Sequence, residues 1–105
     1  MKIVWEKAAL ADLRNQLVYC RKHFGKRIAE ECKSEMISRA NILAIFPYAG
    51  VREPLLDGEP EGFRALVIHP NVKIIYCVNE SQDVIQIYRL WDTRMSPTKL
   101  TRRFR

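Results

Sequence analysis

The chain is poor in the residues that most often assemble a chemical centre. It has two histidines, His23 and His69, and three cysteines, Cys20, Cys32 and Cys77, with no Cys-x-x-Cys spacing. A structural zinc site draws four ligands from clustered Cys and His, so no metal is expected, and nothing in the composition calls for another cofactor. An odd number of scattered cysteines gives no disulfide framework either. All three sit on apolar faces of helix or strand candidates and read as reduced core residues, which fits a cytoplasmic location. No apolar run reaches the length of a signal peptide or a membrane span, so no membrane partner is expected. Repeats, linkers and low-complexity tracts are missing too. At 105 residues the chain suits a single domain, 1–105, with a basic tail at 101–105.

Acidic residues are scarce in the last two fifths of the chain. Residues 1–62 hold ten Lys and Arg against nine Asp and Glu, whereas residues 63–105 hold eight against three. The formal charge of +6 is therefore gathered toward the C-terminal end. Clustered positive charge attracts an anion, and a nucleic acid or an acidic protein segment is the first partner to consider.

What is present reads as alternating elements. Lys2–Trp5 is a short β-rich run. From Glu6 to about His23, Leu10, Leu13, Leu17, Cys20 and Phe24 recur at steps of three or four and predict a helix ending at Gly25. A second helix is predicted from about Lys26 to Phe46, with Ile28, Cys32, Met36, Ala40 and Leu43 as its apolar stripe and Pro47 as its end. One Gly-centred turn between them predicts an antiparallel helical hairpin. "PYAGVREPLLDGEPEG" reads as a loop with a short extended piece near Val51–Leu56. Three strands follow, Phe63–His69, Val72–Val78 and Val84–Trp91, joined by the tight turns "HPNV" and "NESQD" into an antiparallel meander. In the third, Leu90 falls out of parity with Ile85 and Ile87; a bulge near Tyr88–Arg89 restores it to the core and re-aims Arg89.

The expected architecture is α+β, in the order β-α-α-β-β-β. The N-terminal strand joins a four-stranded, mainly antiparallel sheet, the helical hairpin packs on one face, and cations rim the open face.

The pieces "EKAALADL", "IFPYAG", "FRALVIHPNVKIIYCV" and "VIQIYRLWDTRMSP", in this order, resemble the RelE/ParE superfamily of bacterial toxins, from Lys2 to about Leu100. The resemblance implies the toxin half of a type II toxin–antitoxin module, neutralised by an antitoxin with an acidic, partly disordered C-terminal segment. RelE-like members cut mRNA in the ribosomal A site, and ParE-like members poison DNA gyrase. The favoured expectation is a ribosome-dependent, metal-independent mRNA endoribonuclease. The alternatives are a gyrase inhibitor without nuclease activity and an inactive RNA-binding module.

Carried onto this sequence, the resemblance puts Arg64 at the position of a lysine that helps activate the 2′-hydroxyl, and Leu66 where a second lysine stands. Lys73 matches a phosphate-contacting arginine on the next strand in charge. Arg94 is the candidate for the arginine that aids the leaving group. The family's base-stacking tyrosine has no counterpart, and Trp91 or Phe104 would have to supply the ring. The chemistry needs a base, cations for the charge on phosphorus and an acid for the 5′-oxygen. Arginine grips phosphate oxygens but is a poor base. A lysine crowded by cations sheds its proton more readily, which suits Lys73, and histidine titrates nearest neutral pH, which suits His69. Arg64, Lys73 and Arg94 are thus the candidate catalytic set, with Arg89, Trp91 and His69 as nucleic-acid or target-binding residues.

Overall fold

A computed structural model describes residues 1–93. Arg94, Phe104 and the basic tail lie outside the described residues. Helix α1 (Lys7–Phe24) and helix α2 (Lys26–Asn41) form the expected hairpin. Gly25 between them has φ of +91°, a left-handed conformation that a side chain disfavours. Its N–H closes on the Arg21 carbonyl at 3.0 Å, and its own carbonyl accepts from Ala29 N–H at 3.1 Å, so one residue ends one helix and begins the next. Helix α2 stops five residues earlier than the apolar pattern predicts. Ile42–Ala44 tighten into a 3-10 turn instead, and Ile45 and Phe46, beyond it, are exposed.

Strands β1 (Lys2–Trp5), β2 (Val51–Arg52), β3 (Arg64–His69), β4 (Val72–Asn79) and β5 (Val84–Asp92) make one sheet in the order β1-β5-β4-β3-β2. The fold class is as expected, with β2 as a fifth, two-residue strand at the edge. β1 runs parallel to β5, Lys2 opposite Val84 and Trp5 opposite Ile87. The other pairings are antiparallel. The predicted bulge is present: Ile75 pairs with Arg89 and Tyr76 with Ile87, which leaves Tyr88 as the extra residue. Leu90 regains the parity of the core.

Side chains alternate between sheet faces along a strand, and both faces carry apolar clusters. Ala9 and Leu13 from α1, Met36 and Ala40 from α2, and Leu43 pack on Ile68, Ile74, Tyr76, Ile85, Ile87 and Leu90. Full burial of each large aliphatic stabilises by roughly 1.5–3 kcal/mol, so this layer holds hairpin to sheet. Within the predicted α1 stripe, Leu10 and Phe24 are exposed; Ala9, Leu13 and Cys20 supply the buried line.

The opposite face departs from expectation. The chain between β2 and β3 folds back over it as a strap, with a 3-10 turn at Pro54–Leu56. Leu56 and Phe63 pack on Ala65, Ile75, Cys77 and Trp91, and Phe63 meets Tyr88 edge-on at 5.4 Å between ring centroids. Glu53 N–H donates to the Phe63 carbonyl at 3.0 Å and closes the base of the strap. Burial in this second core pushes the Cys77 thiol up to about 11.

Candidate functional site

The predicted site residues are best followed strand by strand. Arg64 opens β3 opposite Tyr76, in the parity of Leu66 and Ile68, so it belongs to the helix-side face. Its Nε and Nη2 donate to the Gly50 carbonyl at 3.2 and 3.0 Å. The guanidinium lies over the Tyr48 ring, 5.1 Å from its centroid, and the Tyr48 hydroxyl donates to Glu80. The Glu80 carboxylate, as acceptor, holds the Tyr48 phenol above its usual range. The Tyr76 hydroxyl accepts from Gly50 N–H at 3.0 Å and donates to the Pro47 carbonyl at 2.9 Å, and burial raises its phenol as well. A Cβ on Gly50 would lie 2.5 Å from the Ala65 carbonyl oxygen, so no side chain fits there. Arg64 and Tyr76 together fix the turn from Pro47 to Gly50.

Lys73 lies in the parity of Ile75 and Cys77, on the strap-side face. Its ammonium is 2.6 Å from Glu53 Oε2. The Glu53 side chain is 1% exposed and the Lys73 side chain 17%. Glu53 Oε1 accepts from Leu55 N–H at 3.3 Å, so the same carboxylate caps the strap's turn. An ammonium paired with a buried carboxylate already has its charge matched within the fold, which disfavours phosphate contact.

Arg89, re-aimed by the bulge, reaches back to α1. Its Nε and Nη2 donate to Asp12 Oδ2 and Oδ1 at 2.8 and 2.9 Å, a fork-to-fork pair. Asp12 Oδ2 also accepts from Leu90 N–H at 3.1 Å, beside the bulge. One carboxylate thus pins the helix to the irregular stretch of β5.

Trp91 is opposite Lys73 in the register but only 2% exposed, covered by the strap. A buried ring offers no face for stacking on a base, which corrects its expected binding role. His69 Nε2 stands 3.8 Å from Glu35 Oε2 on α2, in a hollow that Arg39 also lines. Among the described residues the open face rimmed by cations is therefore not formed: helices pack on one face and the strap on the other. Lys73 and Trp91 are neighbours, Arg64 is on the other face, and Arg94 lies outside the described residues.

Two surfaces escaped the sequence reading. Between the helices runs a groove floored by Leu17, Val18 and Ala29 and edged by Arg14, Arg21, Lys26 and Lys33, with Glu30 the acid among them. The spacing of seven in each cation pair puts both members on one helix face, a signal available from the sequence. The second is apolar: Ile45, Phe46, Tyr48 and Val51 are 74, 62, 52 and 70% exposed, next to the short edge strand β2.

A family model described as "ParE toxin of type II toxin-antitoxin system, parDE" matches residues 3–97. The chain belongs to the ParE toxin family. The family is one of toxins of type II toxin–antitoxin systems, and an antitoxin is the partner it implies. Among solved structures, this ParE-family toxin is similar to a chain of the chromosomal ParDE system from P. aeruginosa, at a TM-score of 0.73 and 21% identity, over 90% of the toxin and 97% of that chain. It is also similar to the isolated E. coli RelE toxin, at a TM-score of 0.53 and 15% identity, over 99% and 98% of the two chains. Identities this low speak for the fold alone. An 81-residue stretch, 77% of the toxin, is 30% identical to a 6-phosphogluconolactonase from Photorhabdus laumondii subsp. laumondii. The toxin spans 22% of that protein's length, about a fifth. Among the described residues, no helix is long and apolar enough to cross a membrane.

Proposed function

We propose that this toxin is of the ParE type, acting on DNA gyrase and not by cutting mRNA. The observation that carries this reading is the 2.6 Å pair between Lys73 and buried Glu53. RNA cleavage needs a free base and unneutralised cations converging on one phosphate. Here Lys73 is committed to Glu53, Arg89 to Asp12, and Arg64 to Gly50 and Tyr48. The exposed group Ile45, Phe46, Tyr48 and Val51 favours a protein target, since apolar side chains clustered at a surface are a mark of protein–protein contact. The groove between α1 and α2 offers an apolar floor and a basic rim, complementary to an acidic, amphipathic antitoxin segment that orders on binding.

Expression of the chain without its antitoxin is expected to induce the DNA-damage response and to give gyrase-dependent linear plasmid. Primer extension on the same cells is expected to find no new cuts within translated codons. New cuts in translated codons, with gyrase supercoiling unaffected by excess protein, would overturn the reading and restore RNA as the target.

A further inference from the structure

The stretch between α2 and β2 leaves a run of large apolar side chains in the open: Ile42, Ile45, Phe46, Tyr48 and Val51 are all exposed. Its shape is fixed from within. Ile45 and Phe46 N–H donate to the Ile42 carbonyl at 3.0 and 2.8 Å, and Ala49 N–H donates to the Phe46 carbonyl at 3.1 Å. Arg64 and Tyr76 hold Gly50 behind it. A face that is already ordered costs little to order again on binding. It has relief as well. Residues Ile45 to Ala49 wall a hollow, and Ile45, the most exposed of the five, stands out beside it. A knob and a hollow on one face suit a two-fold contact, since each copy supplies both.

Charge decides which protein this face can meet. The charged side chains tied to the stretch balance, three cations against three anions. Arg52 pairs with Asp57 at 3.2 Å and Lys73 with Glu53 at 2.6 Å, while Arg64 over the Tyr48 ring is matched by Glu80 on its hydroxyl. The whole chain carries +6, and the α1–α2 groove sets four cations against Glu30, so two copies repel each other at the groove but not at this turn. Four large side chains exposed by half or more offer on the order of 400 Å² of apolar surface. A standard interface buries about 800 Å² per partner, apolar at its centre and polar at its rim. The patch supplies such a centre, and the balanced pairs supply the rim.

We propose that the toxin free of its antitoxin is a two-fold dimer, with Ile45 and Phe46 of each copy seated in the hollow of the other and Tyr48 and Val51 around them. The dimer stands without the gyrase reading, and a target that uses this face displaces the second copy.

The test is sedimentation equilibrium of the folded, full-length chain without antitoxin, from low to high micromolar concentration and at low and high salt. The expected mass at high concentration is twice 12.3 kDa. A two-fold interface holds every substitution twice, so Phe46→Glu buries two unpaired charges and should raise the dissociation constant by at least about 100-fold. Its circular dichroism and melting temperature should match the native chain, because Phe46 is exposed in the single copy. Ile45→Asp should behave alike. Rising salt should tighten the dimer, since screening weakens the repulsion between two chains of +6. A chain that stays monomeric at high micromolar concentration would overturn the proposal. So would a dimer that both substitutions leave intact, or one that salt takes apart. A monomer in which Phe46→Glu weakens antitoxin binding or gyrase poisoning would also overturn it, and would give the face to that protein instead.

Discussion

Asp12→Ala is expected to lower the stability of the fold by about 3 kcal/mol, because it leaves a half-buried arginine and a backbone N–H without their shared acceptor. For a domain of about this size that corresponds to a fall of roughly 15 °C in melting temperature. The Asp12 carboxylate holds both Arg89 nitrogens and Leu90 N–H. The Arg89 and Asp12 side chains are 21 and 13% exposed, too covered for water to replace the lost partner fully. Asp12→Asn keeps an acceptor oxygen but loses the fork, and should fall between native and Asp12→Ala. Urea denaturation of the three proteins checks the order. A loss below 1 kcal/mol, the range typical of an exposed pair, would mean that Asp12 does not pin the bulge.

Glu53→Ala should act through the opposite face. Removing one member of a buried pair leaves the other charge uncompensated, at a cost of about 3 kcal/mol. Here it also removes the cap on Leu55 N–H and the tie that keeps the strap on Trp91. Trp91 fluorescence should shift to the red as the ring meets water, a readout that a loss of helix packing would not give on its own. Lys73→Met with Glu53→Gln removes both charges and keeps the stem of one side chain and the acceptor of the other. That pair should recover more than half of the lost stability, because the penalty comes from the orphaned ammonium and not from the absence of a salt bridge.

The succession of elements was readable because apolar spacing and turn residues agreed with each other. The bulge was legible for a sharper reason: Leu90 could reach the core only if β5 carried one extra residue, and Tyr88 is that residue. The strap was not legible. Its acids and its Pro and Gly residues read as a solvated loop, and the four apolar or aromatic side chains beneath it, Ala65, Ile75, Cys77 and Trp91, gave no sign of which segment would cover them. The site suffered most from pairings between distant residues. Lys73 and Glu53 are 20 residues apart, and Arg89 and Asp12 are 77 apart. Residue type alone made these cations look free. A hint lay in Asp12 itself, an acid next to Leu13 and three residues after Ala9 on the buried line of α1. An acid on a core face signals a buried partner.

The decisive measurement is growth after induction of the Lys73→Met/Glu53→Gln chain in cells lacking the antitoxin, beside the native chain, with equal folding confirmed by circular dichroism. If Lys73 serves the fold and the target is gyrase, both chains arrest growth equally and both yield gyrase-trapped linear plasmid. A folded double variant that leaves growth unimpaired would contradict this, and would return Lys73 to the chemistry of the site.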